Sequence, residues 1–427
     1  MTLSWLQIAR LGLVQAALGA IVVLTTSTLN RLMVVELALP AVLPGLLVAL
    51  HYGIQLTRPQ WGFRSDTGGN RTRWIIGGMF ILALGGFGAA CGVVLLQSSY
   101  WAGLALSVLA YAAIGLGVGA SGTSLLALLA STTAPHRRAA AATITWLMMI
   151  FGIAMTAGVV GAMLHPYSPA LLLKIVGVVS IAVCVLTIVA VWGIEARTTA
   201  LPQPEALPFR QGLAEIWQEP RARAFTIFVF LSMTAYFMQE LILEPFAGLV
   251  FGLTPGQTTS LSGMQNGGVF VGMLLVGIMA TGFKRGSLRA WVIAGCLGSC
   301  AALCLISLIG TLGLVTFLIP LVVALGFFNG MFAVAAIGSM MALAGEGRHR
   351  REGTRMGLWG AAQAVAAGFG GLTGAAIVDV LRLAQFGDAQ AFGAVFVIEA
   401  ALFVAAALMA MRIMTRTPLQ SYAVAGE

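Results

Sequence analysis

The 427-residue chain predicts an all-α membrane protein: twelve transmembrane helices in two six-helix bundles, with both termini cytoplasmic. Three observations predict it. First, 59% of the residues are hydrophobic, 9% are charged and the mean hydropathy is +0.97, a composition that no soluble domain of this size carries. Second, a bilayer core of about 30 Å needs about 20 apolar residues per crossing, and such runs recur twelve times. Third, alternating the loops between two sides places twenty of the twenty-three Lys and Arg on the side of the termini. Basic residues resist translocation, so that side is the cytoplasm.

In chain order, the spans are predicted at 11–34, 39–57, 75–96, 102–131, 140–164 and 169–194, then at 224–252, 258–281, 290–309, 312–344, 355–383 and 391–414, each bounded by charge or by Pro and Gly. The N-terminal stretch runs straight into further spans and reads as a retained first helix, not a cleaved signal peptide. The domains are therefore a first bundle over 1–194, a cytoplasmic linker over 195–223, a second bundle over 224–415 and a cytoplasmic tail over 416–427. The linker carries Pro202, Pro204, Pro208 and Pro220. Within it, 209–217 has the pattern of a short helix lying on the membrane surface. The net charge of +9 is then a topology signal and not a nucleic-acid footprint. The five Cys all fall in apolar stretches, which indicates neither a disulfide framework nor a zinc site. No soluble catalytic domain fits, and the sequence offers no catalytic residue and no metal site.

The loop after the second helix of each half repeats. One copy opens Gly62-Phe63-Arg64 and the other Gly282-Phe283-Lys284, and each places Arg and Trp just before the next span. A parallel repeat of this kind is the layout of two-bundle transporters. The first copy, Gly62-x-x-x-Asp66-x-x-Gly69-x-Arg71-x-Arg73, resembles the cytoplasmic signature of the major facilitator superfamily. Its glycines permit a tight turn, and its carboxylate can accept from a helix N-terminus and from Arg, latching the cytoplasmic side. Thr67 stands where that family carries a basic residue, and in the second copy Gly286 stands where an acid would be expected.

Ionisable groups at membrane depth are costly and mark function by default. Glu240 and Glu244 lie one turn apart before Pro245, while Arg31 and Glu36 occupy the equivalent end of the first span. These four form a predicted inter-bundle polar cluster, in which Arg31 is expected either to pair with Glu240 or Glu244 and tie the halves together or to line a polar floor to the cavity. Asp379 and Arg382, three apart, are expected to pair with each other. Glu399 has no evident partner and is a proton-site candidate. His51, with Gln55 one turn on, is the one histidine well inside a span; it is either a packing residue or an axial ligand for a chlorophyll magnesium. G-x-x-x-G pairs at 88/92, 115/119, 263/267, 268/272, 326/330 and 370/374 predict close helix packing.

Four segments carry a narrower resemblance: T-L-N-R-L-M-V-V-E-L-A-L-P at 28–40, R-P-Q-W-G-F-R-S-D at 58–66, L-E-P-F at 243–246 and R-E-G-T-R-M-G-L-W-G-A-A-Q-A at 351–364. They resemble the PucC and LhaA family, the bacteriochlorophyll-delivery branch of the major facilitator superfamily, including members labelled a bacteriochlorophyll synthase chain. The resemblance implies a facilitator fold in the bacterial inner, photosynthetic intracytoplasmic membrane. It also implies bacteriochlorophyll as bound cargo, with light-harvesting apoproteins and bacteriochlorophyll synthase as partners. The alternative from a different class is a proton-coupled transporter of a small solute. A prenyl-transferring synthase needs magnesium held by paired Asp-rich motifs. The chain has only Asp66, Asp379 and Asp388, so catalysis is not expected.

Overall fold

The computed structural model describes residues 3–58, 61, 70–133, 138–195, 217–279, 283, 285–345 and 352–414. Among them are ten helices long and apolar enough to cross a membrane, with Val42–Thr57 as a shorter apolar helix. In chain order the helices are α1 Trp5–Glu36, α2 Val42–Ile54, α3 Arg71–Leu96, α4 Tyr100–Thr132, α5 Arg138–Met163, α6 Pro169–Val191, α7 Pro220–Phe251, α8 Pro255–Gly277, α9 Leu288–Leu312, α10 Leu318–Gly345, α11 Glu352–Leu383 and α12 Asp388–Ile413. They take up the twelve predicted positions. The 209–217 surface helix falls almost wholly outside the described residues, as does the tail 416–427.

Local chemistry sets the ends. The first helix begins at Trp5, ahead of the predicted 11, because Ser4 and Gln7 form a capping box that satisfies backbone donors before the apolar run starts. Asn70, Ser168 and Ser287 cap α3, α6 and α9. Gly252 and Gly313, both at φ +69°, end α7 and α9 in the left-handed conformation that glycine adopts without a steric cost.

Two helices are interrupted. α1 contains π segments at Leu24–Thr28 and Leu32–Glu36, and α7 breaks into a 3-10 turn at Gln239–Leu241 before resuming at Leu243. Interruptions of this kind gather at functional sites, because the displaced ladder frees carbonyls and re-aims side chains.

The chain forms two compact units, Met1–Gln203 with Glu240–Gly263, and Pro204–Gln239 with Met264–Glu427. In the first unit α3 and α4 pack along small residues: a Cβ on Gly85 would sit 2.9 Å from the Ala110 carbonyl oxygen. α5 meets the start of α8 the same way, with Gly161 against Gly256 and Gly263 against Gly158. In the second unit a reciprocal seam joins α8 to α10. Gly268 and Gly272 abut the carbonyls of Val323 and Phe327, while Gly326 and Gly330 abut those of Gln265 and Val269. Beside the seam, Phe225 stacks edge-on against Trp359 at 4.9 Å, and Phe332 bridges Phe228 and Phe403. The Trp359 indole donates to Thr226 at 3.2 Å.

Candidate functional site

One face of α1 carries Ser27, Thr28, Asn30 and Arg31, all buried, and meets the Leu241–Thr259 stretch inside the first unit. Ser27 donates to Glu244 Oε1. Thr28 and Thr259 hydroxyls are 3.1 Å apart, and Asn30 Nδ2 donates to the Leu241 carbonyl at 2.7 Å. Arg31 forks, with Nη1 on the Glu36 carboxylate and Nη2 on the Leu253 carbonyl at 2.7 Å. Gly248 leaves room for the guanidinium, since a Cβ there would sit 3.3 Å from Nη2.

The expected partner of Arg31 is thus corrected. Its ion pair is with Glu36 of the same helix, not with Glu240 or Glu244, and the reason is local. In an α-helix, residues five apart point about 140° away from each other. The π segment Leu32–Glu36 widens the turn and swings Glu36 back toward Arg31. Glu244 is 2% exposed and its Oε2 has no partner among the described residues. Glu240, one turn earlier, is half-buried.

Beyond Glu36 a cavity of about 430 Å³ opens, lined by Glu36, Leu37, Leu39, Leu96, Gln97 and Tyr167. Burial, then the Glu36 carboxylate, raises the Tyr167 phenol above its ordinary range.

A second polar chain runs along the end of α2. Gln55 Nε2 lies 2.8 Å from His51 Nε2, and Arg58 donates to Gln55 Oε1. The Arg58 contact fixes the amide orientation, so Gln55 donates to the imidazole and the ring proton belongs on Nδ1. His51 is 2% exposed, and Nδ1 has no partner among the described residues.

Of the facilitator-like signature, Gly62, Asp66 and Gly69 lie outside the described residues. Arg71 and Arg73 open α3. Arg71 donates through its side chain to the Ala127 carbonyl at 3.1 Å, while Arg73 is exposed. The carboxylate seen at this helix start is Glu195, which sequence reasoning missed. Its two oxygens accept the backbone N–H groups of Arg71 and Thr72, each at 2.8 Å. That is the anion site a helix N-terminus offers, and only the tertiary fold brings a residue 124 positions away to it.

In the second unit Glu399 is fully buried on α12, and neither carboxyl oxygen has a partner among the described residues. Asn329 and Ser299, also buried, bond each other at 2.7 Å. For Arg382 the expectation named Asp379 alone, and the fold adds a further partner. Arg382 bridges to Asp388 at 2.9 Å, across the turn between α11 and α12. That pair sets a cation at one helix C-terminus against an anion at the next N-terminus. Among the described residues no group of three or more His, Cys, Asp or Glu is arranged to hold a metal.

The family profile described as PUCC protein matches residues 28–417. The chain is 68% identical over 96% of its own length and 96% of the relative's to the "Bacteriochlorophyll synthase 44.5 kDa chain" of Rhodobacter capsulatus. It is 30% identical to "Protein PucC" of the same organism, over 96% and 92% of the two chains. Among solved structures, a D-xylose-proton symporter superposes with a TM-score of 0.73 at 16% identity, over 97% of this chain and 98% of that one. The symporter shows the fold alone: a bundle of membrane-spanning helices like that of a transporter. Residues 28–417 carry the family's pattern, and the chain belongs to the PUCC protein family.

Proposed function

We propose that this protein serves bacteriochlorophyll synthesis or delivery in the photosynthetic membrane, accepting bacteriochlorophyll or a late precursor and passing it to light-harvesting apoproteins. The observation that carries the reading is the 68% identity, end to end, to a relative named for bacteriochlorophyll synthase. Membership of the PUCC family supports it. So does chemistry. A membrane protein with 9% charged residues offers a tetrapyrrole with an isoprenoid tail an apolar environment that a sugar or free ion would not favour.

The relative's name does not make this chain a catalyst. Magnesium diphosphate chemistry needs several carboxylates in reach, and Asp66, Asp379 and Asp388 are too few and too dispersed for paired Asp-rich motifs. The enzyme label then reflects association with the synthase that transfers the prenyl chain. His51 is the candidate axial ligand for the cargo's magnesium. Gln55, held by Arg58, is the side chain that must turn aside to release the imidazole lone pair. A clean deletion in a phototrophic host tests the reading: near-infrared antenna absorption should fall sharply, and unchanged antenna levels would contradict it. The second reading, proton-coupled transport of a small solute, is favoured by the buried Glu244 carboxyl at an interrupted helix. Solute uptake driven by a pH gradient in vesicles would select it.

A further inference from the structure

Around Glu244 the hydrogen bonding does not close. Three buried polar atoms have no partner among the described residues: Glu244 Oε2, Asn30 Oδ1 and Arg31 Nε. Asn30 and Glu244 are 1% and 2% exposed. The contacts that join them, Ser27 to Glu244 and Asn30 to Leu241, each link residues three apart on one helix to residues three apart on the facing segment. Both unpartnered acceptors therefore belong to the same face-to-face contact. The hydroxyls of Thr28 and Thr259 meet each other from the neighbourhood of the same two elements, and those of Thr258 and Ser262 reach the Glu244 carboxylate.

A trapped water could satisfy these atoms as hydrogen-bonding groups. It cannot satisfy the charge. Arg31 is ion-paired with Glu36 and its guanidinium also acts on Glu244, so among the described residues one cation faces two carboxylates and one negative charge is left over. The other charged or titratable groups nearby supply no second cation. Glu240, one turn before, is a further carboxylate, and Tyr167 beyond Glu36 is a phenol. A buried, uncompensated carboxylate at membrane depth costs several kcal/mol. The oxygens arranged around it, carboxylate, hydroxyl and amide, are those a hard cation prefers.

We propose that Glu244, with Ser27, Thr28, Asn30 and Thr259, forms a binding site for one monovalent cation of the sodium class. A single carboxylate in the ring matches a single positive charge, which argues against a divalent ion. The site lies where both α1 and α7 depart from α-helical geometry, a setting in which membrane carriers expose oxygens to ions. The inference is independent of the cargo, and stands or falls apart from the pigment reading.

Thermal unfolding of the purified full-length protein tests it. The midpoint should be followed as NaCl replaces choline chloride at constant ionic strength, in mildly alkaline and in mildly acidic buffer. Sodium should raise the midpoint saturably by several degrees, as any ligand of the folded state does, while potassium and choline do not. Because a proton and sodium compete for Glu244, the half-saturating sodium concentration should rise in acid, by up to about tenfold per pH unit. Glu244→Gln should lose the sodium response. If that variant does not fold, Thr259→Val should retain the fold and weaken the response. No sodium-specific shift in the wild type would mean a water site and overturn the proposal. A midpoint that depends on pH but ignores sodium would make Glu244 a proton site only and would overturn it too, as would a sodium shift that survives in Glu244→Gln.

Discussion

Gly272→Ala should leave little folded protein, although it adds one methyl group. A Cβ at that position would overlap the carbonyl oxygen of Phe327 and crowd the Met331 amide nitrogen 3.1 Å away. These are backbone atoms of α10, and a backbone cannot rotate aside as a side chain can. Overpacking a core costs about 1–3 kcal/mol where side chains can yield, and here the helices themselves must separate. The seam is reciprocal, with Gly326 and Gly330 seated on α8, so displacement at one glycine lifts the other three. In lipid no hydrophobic force restores the lost contact, since helix association there relies on van der Waals fit. The control is the neighbouring Gly267, which has nothing within 4 Å of its would-be Cβ. Gly267→Ala should express and elute as the wild type does, whereas Gly272→Ala should aggregate in size-exclusion profiles of detergent extracts. Equal profiles for the two would refute the seam.

Arg31→Met should lower stability by about 2–4 kcal/mol, read as a loss of unfolding midpoint and of denaturant resistance. The substitution removes the donor to the Leu253 carbonyl and the partner of Glu36. Leaving a buried acceptor unsatisfied costs about 1–3 kcal/mol. The Glu36 share is discounted, because its side chain is 38% exposed and water can take over much of the solvation. Arg31→Lys should recover only part of the loss, since an ammonium cannot fork between a carboxylate and a carbonyl set by the guanidinium plane. The double variant Arg31→Met/Glu36→Gln should be more stable than Arg31→Met alone, the signature of a coupled pair.

Periodicity and charge made the frame of this protein legible. Apolar runs placed all twelve helices, because hydrocarbon thickness fixes their length and unpaired backbone groups cannot be left in lipid. The G-x-x-x-G pairs at 268/272 and 326/330 announced close packing, yet spacing cannot say that they face each other. At the polar cluster the residues were visible and the pairing was not. Arg31 and Glu36 stand five apart, a separation that α-helical geometry sends to different faces, and only the π segment unites them. The Arg382–Asp388 bridge was not legible, because it depends on the C-terminal end of α11 and the N-terminal end of α12 lying side by side across a turn. Glu195 was invisible as a cap: its role depends on the end of α6 arriving at the start of α3, and nothing near it in sequence records that. Gly62, Asp66 and Gly69 kept their signature in sequence alone, lying outside the described residues.

Whether this PUCC family member handles bacteriochlorophyll can be read by colour. The tagged protein should be purified gently from a pigment-replete phototrophic host and its absorption recorded through the red and near-infrared, beside a His51→Ala variant. A pigment band in roughly one-to-one ratio with the wild-type chain is expected, and loss of that band in the variant would put the magnesium on His51. A colourless wild-type preparation from pigment-replete cells would mean that the protein does not hold the pigment.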